Sequence, residues 1–195
     1  MNHDLYKEAY MAGRIRLGRR GGRVAVVLAT LTYVAGLAIA AAPPGQTFGG
    51  SCNGHLSTPG LDASHERGPV IIHGTPNPEV IIGSRGDDSI SGGGGEDIIC
   101  GGPGADNIKG GPQADRIFGE GGDDTISGGG GDDFISGGWG NDDIDGGTGQ
   151  VLIYGDGGDD VIDSSESAPG SKIDGGPGRN LCFVGAGVEV RNCRF

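Results

Sequence analysis

Nine acidic residues recur at intervals of nine along the chain: Glu79, Asp88, Asp97, Asp106, Asp115, Asp124, Asp133, Asp142 and, after Val151 in the ninth place, Asp160. Carboxylates at so regular a spacing have two uses. They ligate a cation with hard oxygen donors, or they decorate a solvated face. The residues around them favour the first. Each acid sits at position six of a block that opens with Gly at position one, from Gly74 through Gly110 to Gly155, and carries Ile at position eight, from Ile81 through Ile117 to Ile162. A fixed period of this kind is the mark of a solenoid. Carboxylates stacked turn upon turn repel one another. A coil built this way therefore requires a counter-ion, and the glycines on either side leave turn carbonyls free to help ligate it.

A nine-residue unit is too short for a pair of helices and fits a tight turn followed by a short strand. Gly and Asp suit the turn, because Gly accepts positive φ and close backbone approach. Positions seven to nine then form the strand, with position eight inward and its neighbours outward. Two units make a coil of eighteen residues, and coils stack about 4.8 Å apart in parallel sheets. The expected fold is all-β: a parallel β-roll with two repeats per coil and short N- and C-terminal caps. Its core is two files of Ile, too thin to hold the coil closed unaided.

Residues eighteen apart are stacked directly. Asp88, Asp106, Asp124, Asp142 and Asp160 form one column, and Asp97, Asp115 and Asp133 form a second on the opposite edge. Ca²⁺ suits such sites, taking 6–8 oxygens at about 2.3–2.6 Å in forgiving geometry. Mg²⁺ holds its waters too firmly, and zinc calls for His or Cys.

The blocks Gly101-Gly-Pro-Gly-Ala-Asp-Asn-Ile-Lys, Gly128-Gly-Gly-Gly-Asp-Asp-Phe-Ile-Ser and Gly137-Gly-Trp-Gly-Asn-Asp-Asp-Ile-Asp resemble the GGxGxDxUx nonapeptide of the RTX (repeats-in-toxin, haemolysin-type) calcium-binding proteins. The resemblance covers about ninety residues, with one further block, Gly175-Gly-Pro-Gly-Arg-Asn-Leu-Cys-Phe. It implies six or seven Ca²⁺ held between stacked turns by position-six carboxylates and turn carbonyls. One column then offers Asp88/Asp106, Asp106/Asp124, Asp124/Asp142 and Asp142/Asp160, and the other Asp97/Asp115 and Asp115/Asp133. Glu79 makes a poorer partner for Asp97, because its turn carries Pro76, Asn77 and Pro78. Val151 cannot ligate. Gln113, Glu120 and Asp156 replace turn glycines and are expected to weaken binding in their loops.

Residues 1–40 read as a secretory signal peptide: six basic residues in the first 23, an apolar stretch, and cleavage after Ala40. The alternative is an uncleaved anchor. Cleavage leaves eight basic against twenty-four acidic residues, a net charge of −16. Such a protein nears neutrality only when loaded with calcium, its acidity argues against nucleic acid or an anionic membrane as partners, and no stable membrane insertion is expected after cleavage. Residues 41–68 form an entry segment, 69–183 the roll, and 184–195 a C-terminal cap. The expected location is extracellular.

Four cysteines in an exported chain suggest two disulfides. Cys182 and Cys193 are spaced to close a terminal loop, which leaves Cys52 for Cys100. Cys100 belongs to an outward set that also includes Val80, Ile82, Ile98, Phe118, Phe134, Leu152 and Tyr154. An apolar sheet face of this kind is expected to be covered by the entry segment, or to meet a protein partner or a second copy. No Gly-x-Ser-x-Gly, His-Glu-x-x-His or paired-cysteine metal motif occurs. The chain therefore reads as a non-enzymatic calcium-binding module of a bacterial surface or secretome. The alternative is an accessory or remnant of an RTX-type toxin or secreted hydrolase without its own catalytic domain.

Overall fold

The computed structural model describes residues 25–28, 51–52, 54–58 and 61–194. Apart from Ala25–Leu28, the segment read as a signal peptide and its cleavage point lie outside the described residues. Ala25–Leu28 runs as a strand parallel to Val70–His73.

From Val70 onward the chain winds as a β-solenoid. Strands alternate between two parallel sheets. The eight-stranded sheet contains Ala25–Leu28, Val70–His73, Ser89–Ser91, Asn107–Gly111, Thr125–Gly129, Asp143–Asp145, Val161–Ser164 and Leu181–Val184. The seven-stranded sheet contains Val80–Ile82, Ile98–Pro103, Arg116–Gly121, Phe134–Trp139, Leu152–Gly157, Lys172–Asp174 and Glu189–Arg191. Register follows the repeat: Ile90 pairs Ile108, which pairs Ile126, and Ile99 pairs Ile117, which pairs Ile135. The inward files from Ile81 to Ile162 are each no more than 2% exposed. Replacing Ile117 with Ala should cost about 2–5 kcal/mol, read as a fall in the urea midpoint with an unchanged slope. An unmoved midpoint would show that the files are not what the sheets close upon.

Two departures from the eighteen-residue coil arise near the C-terminus. Ile153 pairs Ile173 and Ile162 pairs Cys182, offsets of twenty rather than eighteen. The added residues form a turn over Ser164–Ser171, where the Ala168 N–H donates to the Gly149 carbonyl at 2.7 Å. Residues 184–194, within the segment expected as a cap over the last coil, end the roll with one further strand. Glu189–Arg191 pairs in parallel with Lys172–Asp174. The Cys182 N–H then donates to the Arg194 carbonyl at 3.0 Å.

The entry segment divides its work. Ser51–Cys52 and His55–Leu56 form a small antiparallel hairpin, and Cys52 is bonded to Cys100 (S–S 2.06 Å) against Val80, Ile82, Ile98 and Phe118. Beyond it, Leu61 and Ala63 exchange backbone hydrogen bonds with Ile82 and enter the main core at 0% and 3% exposure. This stretch therefore lies along the first edge of the seven-stranded sheet, not only on its face. Covering that edge removes a template for aggregation. At the other end Cys182 is bonded to Cys193 (S–S 2.02 Å).

Candidate metal centre

Each acidic residue ends a turn and begins a strand, so its side chain points back into the bend of its own coil. The position-one glycines make room for it. A Cβ on Gly110 would lie 2.6 Å from Asp115 Oδ2 and 2.7 Å from the Gly128 carbonyl oxygen, and one on Gly128 would meet Asp133 Oδ2 at 2.6 Å and Gly146 O at 2.8 Å. Glycine at position one thus leaves a cradle in which a carboxylate oxygen and the next coil's carbonyl converge.

The structure places the eight predicted aspartates in the two expected columns, each no more than 3% exposed. Their two oxygens have different fates. Oδ1 of each acid with a partner one coil earlier accepts that residue's N–H: Asp88 to Asp106, Asp106 to Asp124 and Asp97 to Asp115 at 2.8 Å, Asp124 to Asp142 at 2.9 Å. Oδ2 of Asp97, Asp106, Asp115, Asp124, Asp133, Asp142 and Asp160 is buried with no hydrogen-bond partner. A buried unpaired carboxylate oxygen carries its full desolvation cost. That cost shows in the acidity. Burial, only partly offset by the N–H bond and added to by neighbouring acids, pushes the carboxyls of Asp97, Asp106, Asp124 and Asp133 up to about 7, and Asp142 to about 6. Asp115 and Asp160 are raised for the same leading reason.

Among the described residues no three His, Cys, Asp or Glu side chains converge into a metal cluster. A cation here must therefore be completed by backbone carbonyls, which the glycine turns expose. All the donors are hard oxygens. The set fits Ca²⁺ and offers no soft or nitrogen ligand to a transition metal.

The RTX calcium-binding nonapeptide repeat matches in four overlapping copies, at residues 73–108, 101–135, 109–144 and 136–166. Residues 73–166 belong to the RTX calcium-binding repeat family. Comparison with curated proteins and with solved structures gave no match. RTX repeats bind Ca²⁺.

The ends of the RTX columns differ from their middles. Asp88 holds the expected position, yet Ser84 donates its N–H to Asp88 Oδ2 at 2.6 Å and its hydroxyl to Oδ1 at 2.8 Å. Thr75 treats Glu79 alike, with both contacts at 2.7 Å. Val151 brings no oxygen, and its N–H donates to Ser171 Oγ at 3.0 Å. Asn180 stands one coil beyond Asp160. Ser84 and Thr75 were legible as non-glycine residues at position two, but what they bond was not.

A second ladder escaped the sequence reading altogether. At position five, Asp123 accepts the Asn141 N–H (2.7 Å), Asn141 accepts that of Asp159 (2.9 Å), and Asp159 that of Arg179 (2.8 Å). It runs along the chain in the opposite sense to the position-six ladder. Glu120 and Asp156, at position two, adopt φ of 76° and 63°, values that glycine takes at no cost and other residues do not.

Proposed function

We propose that this chain is a secreted calcium-loaded scaffold whose roll folds on Ca²⁺ uptake outside the cell and then serves as a structural or interaction module. The observation that carries this reading is the set of seven buried Oδ2 atoms with no partner, from Asp97 to Asp160. In this reading each takes part in holding one ion, with the position-one carbonyls alongside. Two disulfides support an oxidising compartment. The seven-stranded sheet supplies the partner surface. Phe118, Phe134 and Tyr154 stack along it with ring centroids 5.5 and 5.8 Å apart, and the Arg116 guanidinium lies 5.8 Å from the Phe134 ring centre. The other sheet, polar over its middle strands, also turns apolar at its far end, where Val161, Leu181 and Phe183 are exposed.

Equilibrium dialysis of the full oxidised chain against radioactive Ca²⁺ tests the reading. The expected result is saturable uptake of about six or seven ions per chain, reduced by at least one in Asp124→Asn with the fold retained. Absence of saturable uptake at millimolar calcium would overturn it.

A further inference from the structure

The last block of the roll, Gly175-Gly-Pro-Gly-Arg-Asn, places an amide where the other blocks of its column, from Asp88 to Asp160, place a carboxylate. Asn180 is 1% exposed. Its Oδ1 accepts the Asp160 N–H at 2.9 Å, as each aspartate accepts the N–H one coil before it. Its other atom behaves differently from Oδ2. Nδ2 donates to the carbonyls of Gly175 at 2.6 Å, Gly176 at 3.0 Å and Asn192 at 3.2 Å. A Cβ on Gly175 would meet Asn180 Nδ2 at 2.7 Å and Asn192 O at 2.6 Å, just as one on Gly110 meets Asp115 Oδ2 and Gly128 O. The amide nitrogen therefore occupies the same cradle that holds an orphaned carboxylate oxygen elsewhere.

In the central coils that cradle gathers oxygens only, and among the described residues nothing donates to Oδ2. Here three carbonyl oxygens face a nitrogen that carries two N–H groups and no negative charge. We propose that Asn180 is a built-in substitute for calcium: its amide closes the last coil without metal, and the same cradle becomes a further calcium site when residue 180 carries a carboxylate. The proposal rests on the reading of the orphaned aspartates as calcium ligands. Its chemistry is that of a hard-cation site. A carboxylate at residue 180 would leave three carbonyl oxygens with no donor and add a charged oxygen among them, the donor type that Ca²⁺ collects. The amide instead satisfies the carbonyls and adds no charge to a column that already stacks five aspartates.

The consequence is a terminal coil that does not depend on calcium, adjoining the Cys182–Cys193 disulfide. The test uses the full chain as wild type, Asn180→Asp and Asn180→Ala. Calcium is counted by equilibrium dialysis. The rate at which dithiothreitol reduces Cys182–Cys193 is measured by peptide mapping, in EGTA and in millimolar Ca²⁺. In EGTA, both variants should lose this disulfide roughly tenfold faster than wild type, the effect of leaving buried carbonyls unpaired. Calcium should restore slow reduction in Asn180→Asp alone, and that variant should bind one ion more than wild type.

Wild type that binds calcium while Asn180→Asp gains neither an ion nor calcium-dependent protection would overturn the proposal and leave the scaffold reading intact. Wild type that binds no calcium would remove both. Should Asn180→Asp fail to fold even in calcium, Asn180→Ala decides: reduction in EGTA as slow as wild type would overturn the role of the amide, and faster reduction would support it.

Discussion

Transfer of the full, disulfide-intact chain into excess EGTA at pH 7.5 is expected to abolish most of its far-UV β signal, and Ca²⁺ is expected to restore that signal cooperatively. Three features of the roll lead to this. Its inward files carry one Ile per nine residues, a small apolar return for the backbone order each coil requires. Seven buried carboxylates are left with an oxygen unpaired. Their columns stack at the spacing of paired strands, about 4.8 Å, where like charges repel strongly in a partly buried setting. Above pH 7 the carboxyls held at about 7 are mostly ionised, so repulsion and desolvation act together. A bound cation removes both penalties, and each site contributes according to ligand concentration over its dissociation constant. Mg²⁺ at equal concentration should not reproduce the transition, because its small, water-retaining shell fits poorly with spread carbonyls. Residual protection in EGTA should concentrate in the terminal coils, where Thr75, Ser84 and Asn180 already satisfy their neighbours. A spectrum indifferent to calcium would mean that the orphaned oxygens are tolerated by the fold alone.

Acidification should stabilise the metal-free roll and weaken its hold on calcium. In the metal-free roll, burial raises the aspartate carboxyls from an ordinary 3.8 to about 6 or 7, so the folded state binds protons more readily than the unfolded chain. Stability from this source is fully present below the unfolded value and is lost as pH rises through the folded one. The window for the metal-free chain is therefore from about pH 4 to pH 7, with the greater stability at the acid end. This reverses ordinary acid denaturation, in which native carboxylates are more acidic than unfolded ones. In the loaded chain, protons compete with Ca²⁺ for the same oxygens. The far-UV β signal of chelator-stripped protein, largely lost at pH 8, should thus return stepwise at pH 6.5 and 5.5, while the calcium concentration that half-saturates the folded chain should rise over the same steps. All three values lie above the sequence pI of about 4.5, which keeps the chain anionic throughout. A metal-free β signal that stayed level or fell on acidification would show that the buried acids are not the groups limiting stability.

Much of this molecule is decided by a period that needs no coordinates to see. Side chains alternate along a strand, so the recurrence of Ile at position eight determines which residues face inward, and the same count pairs Ile108 with Ile126 and stacks Asp106 on Asp124. The metal chemistry follows from that count as well, because a column of carboxylates flanked by glycine turns admits few other purposes. Cys52–Cys100 and Cys182–Cys193 were legible because Cys182 and Cys193 are close in sequence and Cys100 lies on the apolar outward face.

What the period cannot carry is any contact made by a residue that breaks it. Asp88 and Asp106 hold the same position in the repeat, yet a single hydroxyl and N–H from Ser84 leave one carboxylate satisfied and the other not. The twenty-residue coil and the pairing of Leu61 and Ala63 along Ile82 depend on where an aperiodic segment finds hydrogen-bond partners. Asn180 sits at position six by simple counting. Only the folded chain brings Asn192, twelve residues later, within reach of its amide, and so turns a missing ligand into a closed coil.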